Sequence, residues 1–353
     1  MTFPLFRIFS FSRRCLGIDI GSSSIKIVEL SRRGKKTRLE NYIEFKPPKE
    51  RLMRKREGEN IVLPRITAKA IRMALDRAGI KTKRAVFTLP DYSTLFTWFE
   101  LPLMTKEEIP EAVKYEARHR SPFPLSEIVL DWQIVEKGKK KIKILLVIVP
   151  KEIVNQYQTL SALAQLETRI LEAEVFAFAR SSIKEKDKII ALVDIGEKTS
   201  TCSIIDNEVL KRSYSFDISG EELTEAVSKS FNIDYKQAEE LKKSYGLCPR
   251  EEKNVKGLRE ALLPGARLIS KEISGAMENF YQSELKRVQK IVLGGGGSLL
   301  LGLKEYLIDE LKMEVETAAP FSNISHPSIL ENTLTALGPS YAIAVGAALR
   351  GLE

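Results

Sequence analysis

Cysteine, histidine and tryptophan are scarce in this chain, with three, two and two residues among 353. Cys15, Cys202 and Cys248 lie far apart and show no Cys-x-x-Cys spacing. Neither a disulfide framework nor a thiolate metal site is supported, and the thiols read as buried in a reducing compartment. Only His119 and His326 are available to help, so zinc is not supported either. Long apolar runs are missing too. The longest, residues 144–149, falls far short of the roughly 20 residues that cross a bilayer. No stretch has the basic, apolar and small-residue order of a secretory signal, so a cytoplasmic protein is expected. Neither GxxxxGK[ST] nor GxGxxG occurs, which leaves a P-loop and a dinucleotide fold without support.

What is present suits a large globular protein. Hydrophobic residues make up 43% and charged residues 29%, and 353 residues are too many for one compact core, so two lobes are expected. The net charge of +9 permits attraction to nucleic acid, an anionic membrane or ATP, and does not choose among them. The basic runs at 32–36, 49–56 and 137–143 sit beside Gly or Pro and read as solvated loops. No aromatic residues interleave them as a single-strand groove requires, and no nucleic-acid partner is expected. Residues 3–14 alternate Phe, Ile and Leu with Arg. That pattern reads equally as a membrane-surface segment or a frayed terminus.

The informative signal is a repeat. Residues 16–30 and 191–205 each begin with a short apolar run, reach Asp-Ile-Gly, and fill the turn with hydroxyl-bearing residues before a second β-branched run. Such runs around Gly and Ser are hairpin signatures, and one copy opening each half predicts a pseudo-twofold protein with related lobes. Within the first half, 85–89, 94–100, 128–135 and 142–149 read as strands, and 106–120 and 151–166 as helices. The span 90–168 is compact enough to be an inserted subdomain. The chain then returns through 169–174 into a helix at 175–182. In the second half, 221–231, 236–244, 267–287, 299–311 and 339–351 read as helices, with a strand at 290–293.

Chemistry is expected at the two hairpin turns. In Asp19-Ile-Gly21-Ser-Ser-Ser24, the glycine lets backbone approach a ligand and the turn aims several N–H groups at one point, a nest suited to phosphate oxygens. Ser22, Ser23 and Ser24 can add hydroxyl donors and Lys26 a charge, while Asp19 can hold Mg²⁺ through water. Asp194, Gly196, Thr199 and Ser200 repeat the arrangement. Either turn alone is an ordinary turn, and the matched pair points to phosphate. Gly294, Gly295, Gly296, Gly297 and Ser298 follow a strand and precede an expected helix, where bare backbone and a helix N-terminus suit a base or phosphate. Glu239 and Lys242, three apart on one helix, can face a ribose or read as a solvated pair. Glu174 can orient water on a γ-phosphate or be structural.

These motifs, in this order, resemble the actin, sugar-kinase and Hsp70 superfamily. Residues 109–117 leading into Pro122-Phe-Pro124, residues 219–226 and residues 334–351 are similar to the PilM family of type IV pilus assembly. The resemblance covers nearly the whole chain. It implies an α/β, actin-like two-lobed ATPase fold of duplicated RNase H-like domains with an FtsA-type 1C insertion. The implied division is 1–89 with 169–186 (1A), 90–168 (1C), 187–218 with 288–353 (2A), and 219–287 (2B). It further implies ATP and Mg²⁺ between the lobes, with Asp19 and Asp194 at the metal and Glu174 as the acid that assists hydrolysis. Asp19, Gly21, Ser22–Ser24 and Lys26 belong to the first phosphate turn. Asp194, Gly196, Thr199 and Ser200 belong to the second, Gly294–Ser298 to the adenosine loop, and Glu239 and Lys242 to the nucleoside helix. The implied partners are the N-terminal cytoplasmic peptide of PilN, held in a groove beside 1C, and other pilus assembly proteins at the inner face of the inner membrane. Val175 stands where proline often follows the acid, and Glu197 and Lys198 are bulkier than usual. Both departures bear on hydrolysis, so a weak ATPase at most is expected. A filament-forming organiser of a membrane site is the second reading. A small-molecule kinase is the third, and no polar constellation in the first lobe supplies its base.

Overall fold

The computed structural model describes residues 13–47, 53–56, 59–248 and 255–353. Residues 3–12 and part of the basic run at 49–56 lie outside them. The chain opens with β1 (Arg13–Ile20), β2 (Ile25–Arg33) and β3 (Lys36–Phe45), then β4 (Met53–Arg56), β5 (Glu59–Val62), α1 (Pro64–Arg77) and β6 (Arg84–Leu89). Next come β7 (Leu95–Pro102), α2 (Ile109–Arg120), β8 (Ile128–Lys137), β9 (Lys141–Pro150), α3 (Lys151–Leu163), β10 (Glu167–Ala173) and α4 (Glu174–Ser182). The second half contains β11 (Ile189–Ile195), β12 (Ser200–Asp206), β13 (Val209–Phe216), α5 (Gly220–Phe231), α6 (Tyr235–Tyr245) and α7 (Leu258–Glu284). It closes with β14 (Lys290–Gly294), α8 (Leu303–Leu311), β15 (Glu314–Thr317) and α9 (Glu331–Arg350).

Two five-stranded sheets carry the repeat. Their orders are β10-β6-β1-β2-β3 and β13-β12-β11-β14-β15. Read from the meander end, each is three antiparallel strands followed by two strands parallel to the first. One topology therefore occurs twice. The strands of each opening hairpin are buried on both faces. Leu16, Ile18, Ile25 and Ile27 enter one apolar cluster with α1 and α3, while Cys15, Val28 and Leu30 enter another with α4 and α9. This double coverage explains why β1 and β2 read as nearly continuous apolar runs.

Between β6 and β10 stands the three-stranded sheet β7-β9-β8, whose core includes Phe99, Leu101, Ile144 and Leu146 beneath Ile109, Val113 and Ala117 of α2. It docks on the second lobe through Trp98, whose Nε1 donates to the Leu210 carbonyl at 2.8 Å, with the Arg212 guanidinium over its ring. Although 90–168 was expected to form one unit, Ile153, Tyr157 and Leu160 of α3 are buried in the first lobe's own core.

Several helix bounds differ from the sequence reading. The long helix begins at Leu258 rather than 267, because Leu258, Leu262, Ala266 and Ile269 form one buried stripe that outweighs Pro264. Likewise α9 begins at Glu331 and carries Pro339 inside it. The helix expected from 299 starts at 303. Residues Gly296–Leu299 form a short 3-10 turn and Gly302 has φ +80°, so no long-helix N-terminus follows the glycine loop directly. α2 starts at Ile109, after a turn in which the Thr105 N–H donates to Glu108 Oε2. The strands β3, β4, β5, β10, β13 and β15 and helix α1 were not anticipated, and β4 lies within the run at 49–56 that was read as a loop.

α9 lies against β1, β2 and α4, although it follows the second sheet in sequence. Its small residues allow this. A Cβ at Gly17 would overlap the Ala344 carbonyl, and one at Gly346 would overlap that of Ala177. A second tie crosses between the halves, since the Leu39 N–H donates to the Ser325 carbonyl and the Ser325 N–H to that of Thr37. Among the described residues no helix is long and apolar enough to cross a membrane.

Candidate functional site

Both hairpin turns close in the same way. The Gly21 N–H donates to the Ser24 carbonyl at 2.9 Å, and the Gly196 N–H donates to that of Thr199 at 3.0 Å. A Cβ at Gly196 would lie 2.6 Å from that carbonyl, so the second turn requires glycine. The two turns face one cleft of about 440 Å³. It is lined by Asp19, Gly21, Ser22, Ser23, Ser24 and Lys26 on one side, and by Asp194, Gly196 and Thr199 on the other. Glu174, Glu239, Lys242, Gly295, Gly296 and Gly297 also line it.

Three expected residues do not. Ser200 is buried and its hydroxyl donates to the Ile218 carbonyl at 2.6 Å. The Ser298 hydroxyl donates to the Gly295 carbonyl at 2.7 Å and shapes the glycine loop. Gly294 ends β14 against the Phe178 ring, so its missing side chain serves packing.

The cleft floor is acidic. The first residue of α4, Glu174, and Asp91, at the end of β6, bond reciprocally. The Asp91 N–H donates to Glu174 Oε2 at 3.4 Å, and the Val175 N–H donates to Asp91 Oδ1 at 3.2 Å. Burial raises all four carboxyls here, and their mutual repulsion adds to it for Glu174, Asp91 and Asp194. Asp91 and Asp194 are each pushed up to about 7, and Glu174 stands well above the ordinary carboxylate range. Asp19 is raised by burial, opposed by the Lys26 charge. Lys26 is mostly buried between Asp19 and Glu44 of the neighbouring strands, and its charge acts on both carboxyls. A buried cation beside a turn of N–H and hydroxyl donors is equipped to meet an anion that is not part of the chain.

The second turn rests on α5. The Gly220 N–H donates to the Gly196 carbonyl at 3.0 Å, and the Ser219 hydroxyl donates to that of Glu197 at 2.6 Å. Ser219 and Glu222 form a capping box that fixes this start. Glu239 and Lys242 are not a solvated pair, one of their two expected readings. Lys242 Nζ donates to the Gly220 carbonyl at 2.8 Å and to Thr224 Oγ1 at 2.6 Å, and it pairs with Glu239 at 2.6 Å. Burial works to raise the Glu239 carboxyl, yet bonds from Lys242, Lys243 and Thr224 hold it below its usual value. Both side chains line the cleft, but they are braced within the second lobe.

The glycine loop forms the apolar end. Gly295 has φ +80°, and a Cβ there would meet the Ile195 carbonyl and Asp194 Oδ1, so only glycine fits. Its N–H donates to the Pro339 carbonyl at 2.9 Å. Leu223, Leu299, Leu300, Leu337, Pro339 and Ile343 surround it, giving a slot suited to a flat ring. Sequence reading missed these residues because α9 reaches the cleft only through tertiary packing. It also missed Asp91, Glu44, Lys46 and Tyr92. Pro90-Asp91 at a strand end was a signal for Asp91, but only the parallel pairing of β1 with β6 sets Asp91 near Asp19.

No group of three His, Cys, Asp or Glu among the described residues stands close enough to hold a metal directly. The donor set nevertheless fits a hydrated divalent cation. Carboxyls that burial and mutual repulsion push up to about 7 are relieved by positive charge between them, and waters can span the gaps.

Residues 17–352 match the family described as Type IV pilus assembly protein PilM. The fold matches a PilM-PilN type IV pilus biogenesis complex with TM-score 0.83 and 28% identity, over 97% of this chain and 100% of that one. It also matches the ethanolamine utilization protein EutJ from Carboxydothermus hydrogenoformans, with TM-score 0.55 and 16% identity over 96% of this chain and 89% of that one. MreB 5 of Spiroplasma citri bound to AMPPNP matches with TM-score 0.54 and 14% identity, over 96% of each chain. The last two likenesses concern fold alone. The two-lobed, actin-like α/β architecture is thereby established.

Proposed function

This chain belongs to the PilM family of type IV pilus assembly proteins, and from that membership we propose that it is an ATP-binding adaptor. ATP is bound between its lobes, and the N-terminal cytoplasmic peptide of PilN is bound beside the 1C sheet. The observation that carries the reading is the pair of mirrored Asp–Gly turns converging on one cleft, with the buried Lys26 at its wall. The turns at 21–24 and 196–199 hold the phosphates, Lys26 adds charge, and the slot around Gly295 holds the adenine. Asp19 and Asp194 hold Mg²⁺ through water. Bound Mg²⁺ supplies charge neutralisation for the phosphate oxygens and for the crowded carboxyls. Val175 after Glu174 and the bulky Glu197 and Lys198 in the second turn favour binding with slow turnover.

The peptide groove is assigned to a second concavity of about 170 Å³, lined by Tyr92, Ser93, Thr94, Leu95, Pro122 and Phe123. Leu95 and Phe123 are exposed there, as a surface awaiting an apolar peptide would be. Tyr92 lines both this groove and the nucleotide cleft, and its neighbour Asp91 bonds to Glu174 and Val175. Nucleotide is thereby coupled to partner through residues 91–93. The protein acts at the inner face of the inner membrane within the assembly complex.

Calorimetry with Mg-ATP and with a synthetic PilN tail peptide tests this reading. Asp19→Ala should lower ATP affinity and leave the peptide able to bind, and Phe123→Asp should do the reverse. Coupling also requires that Mg-ATP change peptide affinity by the same factor as the peptide changes ATP affinity. Unaltered ATP affinity in Asp19→Ala would remove the phosphate assignment.

A further inference from the structure

Charge is unevenly divided along the chain. Residues 1–89 contain 22 Lys and Arg against 8 Asp and Glu, a net of +14, whereas the whole chain carries +9. Everything after residue 89 is therefore net negative. Two of those eight acids, Asp19 and Glu29, are buried.

Much of this charge lies on one surface. The buried side of α1 is formed by Thr67, Ala68, Ala70, Ile71, Ala74 and Leu75. Its opposite side exposes Arg65, Lys69, Arg72 and Arg77 around Met73, with Asp76 the single acid. Lys81 and Lys83 follow, exposed in the connection to β6. None of these six cations has an ion-pair partner among the described residues. The connection sits at the end of the sheet where β1 begins, because β1 and β6 run parallel with Leu16 opposite Ala85. Residues 1–12, which precede β1, join the fold at that end. They contain Phe3, Leu5, Phe6, Ile8, Phe9 and Phe11 with one arginine and no acid.

We propose that this face of the first lobe, the outer side of α1 with Lys81 and Lys83, docks directly on an anionic lipid surface. The inference goes beyond the nucleotide and peptide sites and does not depend on either. Three observations favour lipid over other anions. None of the six cations lines either concavity described above, where a small phosphate ligand would be enclosed. Apart from Met73, no large apolar or aromatic side chain is exposed among them, and stacking residues are what a single-stranded nucleic acid would need. The chain joining at the same end is apolar and cationic, a composition that partitions into a headgroup layer.

Vesicle flotation of the full chain tests the proposal, comparing neutral phosphatidylcholine with phosphatidylcholine containing phosphatidylglycerol. Binding to the anionic vesicles should exceed that to neutral ones by at least about tenfold at low salt and fall as salt rises. Lys69→Glu, Arg72→Glu, Lys81→Glu and Lys83→Glu combined should abolish the excess. Lys139→Glu, Lys140→Glu, Lys256→Glu and Lys271→Glu combined, an equal change in charge elsewhere, should leave it within about twofold. A thermal shift with Mg-ATP, retained in both variants, confirms folding. Equal binding to neutral and anionic vesicles, or equal loss in both variants, overturns the assignment. So does binding of labelled single-stranded DNA that the first variant loses while vesicles stay unbound, which would make the surface a nucleic-acid site.

Discussion

Asp194→Asn should make the ligand-free protein more stable and the ATP-bound protein less so. Burial, with the Asp19 charge behind it, pushes the Asp194 carboxyl from 3.8 up to about 7. A group raised in the folded state contributes its full stability below the unfolded value, and that contribution is lost as pH climbs through 7. Ionising this carboxyl in the folded protein costs at most about 4 kcal/mol. The cleft is open to solvent, and screening reduces the cost to about 1–2 kcal/mol. Asparagine has the same shape and no charge. The variant should therefore gain on the parent between about pH 4 and 7, and hold a plateau above 7 worth about 1–3 °C in Tm. Mg-ATP at a hundred times its Kd stabilises the parent by about 2.7 kcal/mol. The variant, lacking the charge that faces the cation, should gain little. The order of the two melting temperatures should thus invert at pH 8 when Mg-ATP is added, which differential scanning fluorimetry reads directly. A variant less stable without ligand, or one with the parent's full Mg-ATP shift, would refute the reasoning.

Mg-ATP affinity of the parent should fall below pH 7 as Asp91 and Asp194 take up protons, an effect calorimetry from pH 6 to 8 would detect. Lys26→Met should weaken ATP about tenfold or more and leave AMP nearly unchanged, since the loss is confined to the phosphate end; competition binding compares the two. Gly346→Ala should destabilise the fold by several kcal/mol in denaturant melts, because the added methyl collides with the Ala177 backbone where α9 crosses α4. Trp98→Ala removes the bond to Leu210 and the stacking of Arg212, and should cost about 3 kcal/mol. Hydrogen exchange should rise first in β7 and β13.

Sequence order was enough to reveal the duplicated hairpins and the residues of their turns. Asp-Ile-Gly followed by hydroxyls at 19–24 and 194–200 is local chemistry, set by the turn that each glycine allows. The same local logic gave the insertion's strands and most helices, whose burial alternates or repeats within a few residues. It misjudged the ends at Leu258, Leu303 and Glu331, where a buried stripe overrides a proline or a left-handed glycine delays a start. Only the tertiary structure decided what those residues do together. Parallel pairing of β1 with β6 and of β11 with β14 gathers Asp19, Asp91, Glu174 and Asp194 around one floor, where burial raises each carboxyl and mutual repulsion adds to it for Asp91, Glu174 and Asp194. The return of α9 across the first sheet supplies Pro339 and Ile343 to the cleft, from far along the chain. A turn's conformation depends on its own few residues, whereas a shared electrostatic field depends on which strands lie side by side. Pairing across long chain separations leaves no local trace in the order of amino acids.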